Sequence, residues 1–244
     1  MSALLASLYR GPLAAMTPPS LGHDDPALSP ARHLSDAAWL DTLLERFASR
    51  YPGGDPRAVA SLWSKWHFSA LLAPGLAANL LLSRDLPLDL ERTGLHQTED
   101  GQTERLAIAD EGEPLASGAL ARRFSTLLDG HLAPLIDTLA SCSGASPRVF
   151  WSNAGNVFEH FAHAISTHPL ARPDSAKPAF ELLERRQLAD GRRNPLYQPV
   201  RYHDPSDGQS QRVRRMCCIR YLIDDLGYCG NCPLEVCRQK ARSA

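Results

Sequence analysis

The sequence lacks any apolar run long enough to cross a membrane. Its longest, "FSALLAPGLAANLLL" at residues 68–82, is broken by Pro74, Gly75 and Asn79. That falls short of the roughly 20 residues a span needs. The opening "MSALLASLYR" has neither a basic start nor a clear cleavage site, so no secretory signal is expected. Net charge is also scarce: the formal value of −1 argues against a generally basic nucleic-acid binder. No glycine-rich fingerprint opens a βαβ unit, so no built-in NADPH or flavin site is expected. There is no internal repeat and no heptad run. What is present is a 244-residue chain, 43% hydrophobic, able to bury a core without disulfides. The expectation is a soluble cytoplasmic protein.

Hydrophobic periodicity points to an α+β fold with a predominantly helical body. Residues 1–33 are rich in Pro, Asp and Ser and read as a loosely structured segment. Ser35 is placed to cap a helix through Arg50 that carries Leu40, Leu43, Leu44 and Phe47. Asp55-Pro56 starts the next helix, with Val59, Leu62, Trp63, Trp66 and His67 inward and Pro74 kinking or splitting it. Alternation at Leu86, Leu88 and Leu90, then at Leu106 and Ile108 around Asp100-Gly101, predicts a small antiparallel hairpin or meander over residues 86–110. Helical spacing returns over Leu115–Leu139 and again after Phe150 and Trp151, where Ser152 or Asn153 could cap. A shorter helix is expected over Ala176–Ala189, followed by an irregular stretch. The body is thus expected over residues 34–200 and an irregular C-terminal segment over 201–244.

That last segment holds five of the six cysteines: Cys217, Cys218, Cys229, Cys232 and Cys237. Clustered thiols in a reducing compartment suggest a metal site more than a disulfide framework. A C-x2-C turn such as "CGNC" aims two sulfurs at one metal. Gly230 would permit a tight backbone and leave amides free to point at sulfur. Adjacent cysteines are harder to use, because neighbours in a regular strand face opposite ways, so the backbone must bend. That argues against an ordinary zinc ribbon and favours a binuclear cluster. From residue chemistry alone, structural zinc and an iron–sulfur cluster both stay open. The tail is mildly basic, with 12 Lys and Arg against 8 Asp and Glu from Glu181 onward. Arg214, Arg215 and Arg220 lie close enough in sequence to compensate a negatively charged cofactor.

The pattern C-C-x10-C-x2-C near the C-terminus, with "RRMCCIRY" before the gap and "CGNCPL" after it, resembles the ferric siderophore reductase family typified by FhuF. Two upstream stretches are similar to it with less specificity: "SLWSKWHFSALLAPGLAANLL" and "RVFWSNAGNVFEHF". The resemblance implies that Cys217, Cys218, Cys229 and Cys232 ligate a [2Fe–2S] cluster. It implies one-electron reduction of Fe(III) in a siderophore, expected to be of hydroxamate type, with release of Fe(II). An external electron donor is then required, such as a ferredoxin or a flavin reductase. Peripheral contact with the inner face of the membrane fits such a role. Arg214, Arg215, Arg220, Trp151 and Asn153 are candidates for substrate binding or cluster tuning, although helix capping would explain Asn153 without any function. Cys237 falls outside the motif and Cys142 lies far upstream, and both are expected to be bystanders. The alternatives are a structural zinc module and a [2Fe–2S] carrier that serves a protein acceptor.

Overall fold

The computed structural model describes residues 3–115, 122–203 and 210–237. A short helix α1 (Ala3–Ala6) precedes strands β1 (Ser20–Leu21) and β2 (Ser29–Pro30). Helix α2 (Ala37–Ala48) leads into the long α3 (Pro56–Leu82). Strands β3 (Arg84–Asp85), β4 (Thr93–Gln97), β5 (Thr103–Ile108) and β6 (Glu113–Pro114) follow. The chain returns to helix with α4 (Ser125–Leu127), a π-helical turn over Leu128–Leu132, then α5 (Ala133–Ser143), α6 (Pro147–Ser166) and α7 (Lys177–Glu184). Strands β7 (Val200–His203) and β8 (Gln211–Arg214) form an antiparallel ribbon at the end. The class is α+β, mostly helical with small sheets, as the periodicity indicated.

The spine is α3. Asp55 caps it by accepting from the Arg57 amide, and Pro56 occupies the first helical position, where no N–H is needed. The helix runs through Pro74 unbroken instead of splitting there. Leu71–Leu80 is buried all round, and that packing outweighs the ~3 kcal/mol an interior proline costs. At Gly75 an added Cβ would meet Leu127 Cδ2 at 2.8 Å, so any larger residue would have to displace the Leu127 side chain. Trp63 is buried, its indole N–H donating to the Gly101 carbonyl at 2.9 Å, which pins the spine to the hairpin turn. Trp66, expected inward, is instead 49% exposed.

The hairpin is β4–β5 alone, inside a four-stranded sheet of order β1-β5-β4-β2. Leu86, Leu88 and Leu90 are buried, but on an irregular segment in which Pro87 donates no hydrogen bond. Residues 3–33 are not loose. They give both outer strands of that sheet and bury Leu5, Leu8 and Leu13 in the core. Elements this short are held by tertiary contacts, which leave no periodicity to read. The helix α2 is capped by Asp36, one residue beyond Ser35. Of the helix expected over 115–139, residues 116–121 lie outside the described residues. Helix α7 ends at Glu184 because the buried Asn194 amide takes the Leu182 and Arg185 carbonyls at 2.7 and 2.9 Å.

Two buried histidines join α3 to the π-helical turn. His131 Nδ1 must carry the proton it donates to the Leu88 carbonyl at 2.6 Å. Its Nε2 therefore accepts from His67 Nε2 at 2.9 Å, and His67 Nδ1 accepts from the Thr103 hydroxyl. Burial holds both rings neutral: His131 is lowered to about 4, and His67 falls well below its usual value. Unfolded histidine takes a proton below about pH 6.5 while the folded ring does not, so stability falls as the pH drops. The loss from His131 is about 2 kcal/mol between pH 7 and 5. Urea midpoints should fall accordingly over that window, and fall less in His131→Gln. Equal slopes in the two proteins would contradict the neutral pair.

Candidate iron–sulfur site

The site lies where β8 and the segment after it pass between α3 and α6. Two helices grip the backbone around the adjacent cysteines. Ser61 of α3 donates to the Cys218 carbonyl at 2.7 Å, and Ser152 of α6 donates to the Met216 carbonyl at 3.2 Å. The required bend is at Ile219, whose φ of 54° is left-handed. That conformation is costly for a β-branched residue. Its amide is thereby turned back onto Cys217 Sγ at 3.3 Å. The second half of the motif is fastened by the Arg214 amide, which donates to the Asn231 carbonyl at 3.0 Å.

Two sulfur–sulfur contacts link the halves of the motif. Cys217 Sγ lies 3.9 Å from Cys232 Sγ, and Cys218 Sγ lies 3.6 Å from Cys229 Sγ. Two thiolates on one tetrahedral metal, with bonds of about 2.3 Å, sit about 3.8 Å apart. Each of these two distances is the spacing that two ligands on one metal would take. Among the described residues no three or more Cys, His, Asp or Glu side chains converge to hold a single ion. Within the C-x2-C turn the two sulfurs make different contacts. Each of its cysteines pairs with one of the adjacent two.

Positive charge faces the Cys218 side. Lys65 Nζ donates to Cys218 Sγ at 2.9 Å. The Cys218 thiol is pushed down, first by hydrogen bonds with Cys217 and Cys229 and then by Lys65 and Arg214. Cys217 and Cys229 are pushed up by the same contacts and by burial. Arg214 is only 2% exposed, and burial lowers it while the surrounding thiols raise it. Its Nε–H is buried and has no partner. An unused donor beside three thiols costs free energy unless an anionic group receives it. A thiolate-held [2Fe–2S] cluster, an anion rich in sulfur acceptors, fits that place.

Asn153 is not a helix cap. Ser146 caps α6 by accepting from the Arg148 amide, and Asn153 sits fully buried inside the helix. Its amide nitrogen donates to the Ser61 carbonyl, the Ser61 hydroxyl and the Ser64 hydroxyl at 2.9, 3.0 and 2.9 Å. Its oxygen accepts from Arg214. Asn153 therefore ties the α3 serines to the buried arginine. Arg220 instead clamps the intervening loop by donating to the carbonyls of Leu226, Gly227 and Tyr228. Trp151 and Arg215 line a cavity next to the site. Gly230 has an ordinary φ and open space around its Cβ, so no tight backbone requires it there. Cys237 is exposed at the end of the short helix over 233–237, and Cys142, near the end of α5, donates to the Ala37 carbonyl at 3.3 Å. Sequence reasoning missed Lys65, Ser61, Ser64 and Ser152. The first three recur at helical spacing on a mostly apolar helix, and that polar line was the available signal.

Four thiols in two close contacts, beside the buried Arg214 and the part-buried Lys65, suit an iron–sulfur oxidoreductase. The chain belongs to the FhuF family: the model described as "Ferric iron reductase FhuF-like transporter" matches residues 61–210. The model described as "FhuF 2Fe-2S C-terminal domain" matches residues 214–234. The cofactor is a [2Fe–2S] cluster, and the general activity is that of the ferric siderophore reductase family. A ferric siderophore reductase of Escherichia coli (strain K12) is 25% identical over 227 residues, covering 87% of this chain and 82% of that protein. In fold alone the chain is similar to the aerobactin synthetase IucC from a hypervirulent pathotype of Klebsiella pneumoniae. There the TM-score is 0.52 at 13% identity, over 71% of this chain and 36% of that one. Among the described residues no helix is long and apolar enough to cross a membrane.

Proposed function

We propose that Cys217, Cys218, Cys229 and Cys232 hold the cluster, and that the chain reduces Fe(III) within a hydroxamate-type siderophore. The observation that carries this reading is the pairing of the four sulfurs at one-metal spacing beside an unpartnered, buried arginine N–H. When bound, the cluster supplies one electron at a time. The chain's own residues hold and tune it. Lys65 and Arg214 offset the negative charge that grows on reduction. Cys218 and Cys232 are buried on the inner side. Half-buried Cys217 and Cys229 leave an outer side open to approach. Hydroxamate oxygens hold Fe(III) far more tightly than Fe(II), so one electron releases the metal without acid–base chemistry from the protein.

With no dinucleotide fingerprint in the sequence, the electron comes from a separate donor such as a ferredoxin or a flavin reductase. The place of action is the cytoplasm, with peripheral contact at the inner face of the membrane. The test is anaerobic mixing of dithionite-reduced, desalted protein with a ferric trishydroxamate and a ferrous trap. Trapped Fe(II) should appear in step with reoxidation of the protein. No Fe(II) from any chelate, alongside rapid reoxidation by a partner protein, would make the chain a carrier instead.

A further inference from the structure

Beside the site lies a cavity of about 720 Å3, within the range of small-molecule sites. Met216, the residue before Cys217, lines it, as does Ser152, which holds the Met216 carbonyl. Along the chain, the cavity lining thus ends one residue before Cys217. Four arginines line it, Arg148, Arg186, Arg193 and Arg215, and the lining holds no carboxylate. Among the described residues none of the four is ion-paired with a carboxylate. Arg186 and Arg215 instead lie over the Tyr197 ring at 5.3 and 5.8 Å, and Arg215 also donates to Gln198. Arg148 and Arg193 are exposed. A second cavity of about 480 Å3 shares Arg186, Arg193 and Tyr197 with the first and extends the basic surface.

Unneutralised cations around a concave surface concentrate anions. The core of a ferric trishydroxamate is neutral, because its deprotonated hydroxamates balance the Fe(III) charge. Any preference set by the arginines must act on the groups appended to that core. We propose that this cavity seats the ferric chelate and selects chelates with negatively charged appendages, carboxylates above all. Guanidinium groups bind carboxylates through two parallel N–H bonds, so the lining suits such groups geometrically as well as by charge. Trp151, Pro195 and Pro199 give the apolar wall against which a chelate's methylene loops can rest. The proposal rests on the reductase reading and names the substrate class within it.

The test uses one linear trishydroxamate whose terminal amine is left free, acetylated or succinylated. The iron core stays constant while the net charge runs from positive through zero to negative. Redox-inert gallium(III) complexes report binding to the holoprotein by calorimetry, and the iron(III) complexes report reduction. The succinylated form should bind about tenfold tighter than the acetylated one at low salt, with the free amine weaker still. The ranking should collapse in Arg148→Gln/Arg193→Gln, whose visible spectrum should match the parent's. Reduction without any charge ranking, or a ranking unchanged in the double variant, overturns the proposal and leaves the reductase reading intact. Loss of donor-protein electron transfer in the double variant, with chelate affinity unaltered, also overturns it and makes the patch a donor-docking surface. Failure to reduce any of the three chelates counts against the reductase reading itself.

Discussion

Serine variants of the four motif cysteines are expected to lose most of their cluster iron, and the cluster that remains should fall into two spectroscopic classes. Cys217→Ser and Cys232→Ser should form one class, and Cys218→Ser and Cys229→Ser the other. The ground is the sulfur geometry, in which 217 approaches 232 and 218 approaches 229. Each serine alters the metal its own pair would share, and only the Cys218/Cys229 pair has Lys65 in direct contact. Cys237→Ser should keep full cluster content, because that residue is exposed and lies beyond the paired set. Iron and acid-labile sulfide analysis measures the loss, and Mössbauer spectra of isotope-enriched protein sort the classes. Classes that follow sequence neighbours, 217 with 218 and 229 with 232, would contradict the pairing. So would a bleached Cys237→Ser protein.

Removing the buried guanidinium should act on potential and on stability together. In Arg214→Leu the nearest fully buried positive charge is gone, so adding an electron becomes harder. The midpoint potential should fall by on the order of 100 mV. The Asn153 oxygen, buried in α6, also loses its donor, at a cost of about 2–3 kcal/mol. Arg214→Lys should recover much of the potential and little of the hydrogen bonding, because an ammonium lacks the guanidinium fork. Lys65→Met separates the two effects from the other direction. Lys65 is only part-buried and touches Cys218 alone in this network, so its loss should lower the potential without the stability cost. Potentiometric titration followed in the visible, together with urea unfolding, gives both readouts. An unchanged or raised potential in both variants would contradict the role given to these cations.

The helices around the site were legible in the sequence because each buries one apolar stripe. Leu40, Leu43, Leu44 and Phe47 show it on α2, and Phe158, Phe161, Ala162 and Ile165 show it on α6. The strands contributed by residues 20–30 were not legible, since two-residue strands carry no period and are formed by their partners β4 and β5. Pro74 misled for a related reason: a local rule yields when a helix is packed on every side. At the site, the family resemblance carried by the C-C-x10-C-x2-C spacing pointed to these four thiols, and nothing in that spacing gives the sulfur contacts seen in the fold. Pairing depends on the bend at Ile219 and the loop that Arg220 holds, which only the folded backbone displays. Among the candidate arginines, sequence proximity to the cysteines did not separate three roles. Arg214 is buried against the thiols, Arg215 faces the cavity and Arg220 clamps a loop. Lys65 and Asn153 reach the site from helices over 60 residues away in sequence, through tertiary contacts of 3 Å or less.

The most direct test of a binuclear, four-thiolate redox centre is metal and sulfide analysis of anaerobically purified protein, read with its visible spectrum. Iron and acid-labile sulfide should be present in equal amounts at the stoichiometry of a [2Fe–2S] centre. The visible absorption should bleach when one electron per chain is added. A colourless protein that holds zinc and no sulfide would contradict the account.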